Sequence, residues 1–171
     1  MGISQNFWVN FTGFQLIWWL SILYGNSAAL PVTILILLHL LLHTQPLIEL
    51  FTLILTALLG FSIDFLLTLN GVFIFTESEA VPLWLGLLWL GFCATLRNSL
   101  SFFSGRYLLS AFVGSIGGST TYLAAATLGV VELGFSPITV FIILLLIWAG
   151  LFPLLIFLSH RIGVRYALRP N

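Results

Sequence analysis

The chain is 171 residues long, 60% hydrophobic and only 6% charged, and its five acidic and five basic residues cancel. A typical soluble domain carries roughly 25% charged residues, and a mean hydropathy of +1.17 leaves too little polar surface to face water. Soluble enzymes, disordered chains and nucleic-acid binders, which need a basic face against phosphate, are therefore excluded.

Long apolar runs fill the sequence, without period-two alternation. That points to spanning helices and away from a membrane β-barrel. A crossing takes about 20 apolar residues, so the length accommodates six crossings and no soluble domain. The expected architecture is all-α: one polytopic integral membrane domain, a bundle of six transmembrane helices. The first runs over about 7–24 and ends at Gly25-Asn26-Ser27. The second covers 28–43, with Pro31 in its first turn, where a missing N–H costs little. His43-Thr44-Gln45-Pro46 separates it from the third, 47–75, and a polar stretch from Thr76 to Glu79 follows. The fourth covers 81–103, opening at Val81-Pro82, and Ser104-Gly105-Arg106 leads into the fifth, 107–133. Gly134 to Pro137 ends that span; the sixth covers 137–159, and a basic tail, 160–171, closes the chain.

The first segment reads as a retained helix. Ser27-Ala28-Ala29 has the look of a cleavage site, but residues 1–9 hold no Lys or Arg, and Trp18 and Trp19 sit in the would-be apolar core of a signal. Orientation follows from charge. With six spans, Arg97, Arg106, Arg161, Arg165 and Arg169 fall on one side, and Glu77, Glu79 and Glu132 on the other. The arginine side, with both termini, is expected to be cytoplasmic. The single cysteine, Cys93, excludes a disulfide framework and is expected to pack.

Asp64 is the charge without a topological role. At 100° per residue, Glu49, Thr52, Thr56, Gly60, Asp64 and Gly71 share one arc of the third span, which should face the bundle interior. Asp64 is either a proton carrier, ligand contact or acid–base group, or a hydrogen-bonded tie between helices. His39 and His43 lie on one helix face, Glu49 opens the next helix, and Arg97 reaches the same depth. No metal is assigned; His39, His43 and Glu49 are the candidate ligands, with a proton relay or a plain Glu–Arg pair as alternatives. In the fifth span, Gly114 and Gly118 suit close packing. Alternatively, the helix breaks near Gly117-Gly118-Ser119 and turns freed backbone groups toward a ligand, with Tyr122 one turn on. Trp8 and Trp84 suit interfacial belts. Trp18, Trp89 and Trp148 lie deeper, need partners for their N–H groups, and could line an apolar cavity. The candidate ligand contacts are thus Asp64, Gly117, Gly118, Ser119, Tyr122 and Trp89, and Asp64 and Tyr122 are also candidate catalytic groups.

The chain resembles a family of small bacterial inner-membrane proteins that share a domain of unknown function. The resemblance rests on Asn10-Phe11-Thr12-Gly13-Phe14-Gln15 with Trp18-Trp19, on Asp64, and on Pro82-Leu83-Trp84 with Leu88-Trp89. It continues through Gly114 to Gly118, Tyr122 and Leu128-Gly129-Val130, and so covers nearly the whole chain. Ser119 departs from the pattern, where proline would follow the glycine pair. The resemblance implies six spans in a bacterial inner membrane, no assigned activity, and genes for membrane fatty-acid modification nearby. The expectation is a protein that binds or handles a lipid or lipid-like ligand within the bundle, as enzyme or accessory. The alternatives are a small transporter or substrate-binding membrane subunit, and a non-catalytic subunit of a membrane complex. No cofactor is expected; the partners are the bilayer, a lipid ligand and a membrane protein, with no nucleic acid.

Overall fold

A computed structural model describes residues 2–75 and 81–167. Glu77, Glu79 and Arg169, which carry part of the charge asymmetry, lie outside the described residues. Six helices follow one another: α1 (Phe7–Tyr24), α2 (Ala29–Leu41), α3 (Pro46–Leu69), α4 (Leu83–Cys93), α5 (Tyr107–Thr127) and α6 (Pro137–Ala167). A two-residue antiparallel ribbon, β1 (Phe73–Ile74) with β2 (Glu132–Leu133), pairs Phe73 with Leu133. Short connections make successive helices antiparallel. One end of the bundle carries the ribbon, and the other carries Glu49, Arg97 and the α5 start.

Burial is inverted relative to a soluble protein. Leu108 and Leu47 are 89% and 79% exposed, whereas Glu49 and Asp64 are 1% exposed. Apolar side chains face outward because hydrocarbon welcomes them, and polar ones turn inward to find partners. Four helical stretches are long and apolar enough to cross a membrane. They are Phe7–Leu41, which takes in α1, the intervening turn and α2, then Pro46–Leu69, Tyr107–Thr127 and Pro137–Gly163. The protein is therefore a helical membrane protein. α2, with 13 residues, and α4, with 11, each fall short of the roughly 20 residues of a full crossing.

Several elements stop earlier than the apolar pattern predicts. α3 ends at Leu69, not Phe75, because Gly71 takes φ +68° and turns the chain into β1. α5 ends at Thr127, not Leu133, so that Glu132 and Leu133 can pair with β1. α6 instead runs beyond the expected 159 to Ala167.

The largest departure is in the fourth segment. α4 ends at Cys93, and residues 94–100 form turns before a short 3-10 stretch at Ser101–Phe103. Asn10 of α1 holds this break. Its amide donates to the Ala94 carbonyl at 3.0 Å, while its Oδ1 accepts from the Ser99 backbone N–H at 3.1 Å and the Ser99 hydroxyl at 2.6 Å. A single buried amide thus satisfies backbone groups that a continuing helix would have satisfied.

Candidate functional site

Two helices present the same pattern toward the bundle centre. On α3, Gly60 precedes Asp64 by one turn; on α5, Gly118 precedes Tyr122 by one turn. Each glycine supplies a shelf for an indole ring. A Cβ at Gly60 would collide with the benzene ring of Trp89, and one at Gly118 with Trp148. Trp89 and Trp148 stack between the two shelves, centroids 5.7 Å apart and planes 8° from parallel. Phe92 closes the layer edge-on to both rings.

Directly beyond this layer, the polar residues meet. Trp89 Nε1 donates to Asp64 Oδ2 at 2.7 Å. The Tyr122 hydroxyl donates to the same carboxyl group, 2.7 Å from Oδ2 and 2.8 Å from Oδ1. Phe73 of the ribbon stacks on Tyr122 at 5.0 Å and 5°. Asp64 therefore joins α3, α4 and α5 through two side-chain donors. The hydrogen bonds fix both rings in orientation, because each polar edge has an acceptor that hydrocarbon could not supply.

Those two rings form part of the wall of a cleft of about 430 Å³. One wall is α1, from Phe11 to Ile22; the other is α5, from Val113 to Ala125; α4 and α6 supply the floor, including Trp89, Phe92 and Trp148. α1 packs on α2 and α4, and α5 on α6, so the cleft separates two helix groups. Its rim residues Phe11, Trp19, Val113 and Thr121 are exposed. The lining spans eleven residue steps on α1 and twelve on α5, about 16–18 Å at 1.5 Å per residue.

The expected ligand contacts divide. Gly117, Gly118, Tyr122 and Trp89 line the cleft. Asp64 and Ser119 do not: Asp64 lies behind Trp89 and Tyr122, and Ser119 is buried, donating to the Ser115 carbonyl at 2.6 Å. The fifth helix is not broken. α5 is continuous through Gly117-Gly118-Ser119, and Gly114 and Gly118 are small because Phe152 and Trp148 of α6 occupy the space beside them. Trp84 is 8% exposed and lines the cleft, so it is no interfacial belt residue; Trp8, 71% exposed, faces outward.

A second polar cluster occupies the opposite end. Glu49 Oε1 accepts from His39 Nε2 at 3.1 Å and from the Asn98 amide at 3.3 Å; Oε2 pairs with Arg97 at 3.1 Å. His43 Nε2 faces Oε2 at 3.5 Å. Its other ring nitrogen accepts the Gln45 backbone N–H at 3.0 Å, which places the proton of the neutral ring on Nε2. His43 lies between α2 and α3, and burial holds its pKa below the ordinary value, with His39 and Arg97 adding to that effect against the attraction of Glu49. His39, His43 and Glu49 do converge, but a guanidinium and an amide share the carboxylate. Among the described residues no group of three or more His, Cys, Asp or Glu could hold a metal ion.

Sequence reasoning passed over Asn98, and it placed Asn10 in a shared motif and Gly60 on the inward arc of α3 without giving either a contact. A lone amide early in an apolar helix was the available signal for Asn10, since polar groups in spanning segments demand a partner. For Gly60 it was the i, i+4 spacing to Asp64.

Helical walls, an apolar exterior and a central aromatic cleft define a polytopic membrane protein with an internal hydrophobic site. The chain belongs to a family whose model, described as a protein of unknown function (DUF2878), matches residues 7–154. No curated protein and no solved structure matches the chain.

Proposed function

We propose that this protein binds a membrane lipid, holding one hydrocarbon chain in the cleft between α1 and α5. The observation that carries this reading is the cleft itself. Its volume falls in the range of about 300–1,000 Å³ that ligand sites occupy, and its lining is almost wholly aromatic and aliphatic. Its length of about 16–18 Å is close to half of the roughly 30 Å hydrocarbon core, the depth that one chain of one leaflet fills. Exposed rim residues on both walls leave a sideways entrance from the bilayer. Asp64 acts as a positioning residue, holding Trp89 and Tyr122 as a rigid wall, and the reading needs no chemical step.

The same proposal places six crossings in a bacterial inner membrane, with the arginine end and both termini cytoplasmic. The basic residues support that orientation. The short α4 is then completed by the folded segment 94–103, in which Ser99 meets Asn10, and Arg97 and Asn98 meet Glu49.

Native mass spectrometry of the purified protein tests the reading, with Gly117→Phe as the control. Nothing lies within 4 Å of a Cβ at Gly117, which lines the cleft, so a phenylalanine there starts in open space and narrows the site. Lipid adducts on the native chain that disappear in Gly117→Phe are expected. A native chain that carries no lipid, or a variant that carries as much, overturns the reading.

A further inference from the structure

The hydroxyl groups of the cleft wall are already used inside the protein. Thr95 donates to the Phe92 carbonyl, Ser99 to Asn10, Thr121 to the Gly117 carbonyl and Tyr122 to Asp64. Gln15 differs. It lines the cleft near the middle of α1, and among the described residues its amide makes no hydrogen bond. One turn further along the same wall, Trp18 Nε1 is buried without a partner. An amide turned toward an apolar cleft without a protein partner is unfavourable there, so such a residue in a spanning helix is a candidate for a function.

We infer that Gln15 reads an oxygen atom on the bound molecule, so that the cleft selects a hydrophobic ligand carrying a carbonyl group over a plain hydrocarbon. This rests on the lipid-binding reading of the cleft and adds the ligand's chemistry to it. The Gln15 amide N–H donates to the carbonyl oxygen, and the neighbouring Trp18 indole is the second donor of the same wall. An acyl ester and a quinone ring share this acceptor, and both have apolar parts that fit the aromatic floor.

Three probes separate these ideas on the purified full chain in detergent, read by their competition for a bound fluorescent acyl-chain probe. They are hexadecane, methyl palmitate and a quinone with a ten-carbon tail. Native protein is expected to bind at least one carbonyl probe about tenfold more tightly than hexadecane, the worth of one hydrogen bond in an apolar site. Gln15→Leu should abolish that preference and keep hexadecane binding, which also shows that it folds. Whichever carbonyl probe loses affinity names the source. A native preference that survives in Gln15→Leu, or no native preference, overturns the role of Gln15 and leaves the cleft reading standing. No binding of any probe to native protein overturns both. If Gln15→Leu binds nothing, the preference measured in Gln15→Met decides by the same ratio.

Discussion

Trp89 donates its indole N–H to Asp64 while its benzene ring rests against Gly60, one turn away on the same helix. One stretch of α3 thus supplies both the shelf and the acceptor for a single side chain of α4. On α5 the same spacing serves two partners: Gly118 makes room for Trp148, and Tyr122, one turn on, donates to the Asp64 carboxyl. Both helices thus place a glycine beside an indole ring and a polar group four residues later at the Asp64 site.

Asp64→Leu should leave two interior donors, the Trp89 N–H and the Tyr122 O–H, without acceptors. The expected loss is about 2–6 kcal/mol, at roughly 1–3 per unsatisfied group. Asp64→Asn keeps one acceptor oxygen and should lose less than half as much. Thermal unfolding in detergent measures both, and equal stability of the two variants would contradict the role assigned to the carboxyl.

Three glycines of α5 and α3 should respond in opposite directions. Gly60→Ala and Gly118→Ala drive a methyl group into Trp89 and Trp148, and overpacking of this kind costs about 1–3 kcal/mol. Gly117→Ala meets open space and gains helix propensity, about 0.5–1 kcal/mol. Unfolding temperatures of the three single variants check the order.

Asn10→Ala removes the three hydrogen bonds that tie the turn after α4 to α1. About 2–4 kcal/mol should be lost, at roughly 1 kcal/mol per bond plus the groups left unpaired. Hydrogen exchange localises the effect: the Ser99 amide should exchange faster, while amides in the middle of α6 change least.

Arg97→Met leaves the Glu49 carboxylate buried with only histidine and amide partners. Breaking such a pair costs about 3–5 kcal/mol. The double variant Glu49→Gln with Arg97→Met should recover a large part of that loss. A double-variant cycle in thermal unfolding reads the coupling, and additive losses would show that the pair does not act as a unit.

Stability should fall in acid partly through His43. Its folded pKa lies below the ordinary 6.5, so at lower pH the unfolded chain binds a proton that the folded one resists. The contribution is present in full above about pH 6.5 and is lost as pH falls through the folded value. His43→Gln should flatten the unfolding profile below about pH 6.5.

Much of this was legible in the residues. Apolar runs marked the helices, and the inward arc from Glu49 to Asp64 on α3 is buried as its periodicity demanded, because no other orientation keeps carboxyl groups out of hydrocarbon. The helix ends were less legible. An apolar run such as 94–103 reads the same whether it continues a helix or folds into turns, since the deciding partner, Asn10, lies 84 residues from Ala94 in the chain. The glycine segment of α5 was ambiguous for the same reason: only the position of Trp148 and Phe152 shows that small size, not a broken helix, is what α5 requires there.

Composition alone therefore determined the solvent of this protein. Ten charges in 171 residues cannot cover a water-facing surface, and the few that exist must find partners or reach an end of the bundle. Tertiary structure decided what those groups do. It set Asp64 behind the cleft wall, with Trp89 and Tyr122 between it and any ligand, and it left Gln15 in the cleft without a partner. Which side chains meet across helices depends on packing between segments far apart in sequence, and periodicity within one helix carries no information about the face it will meet.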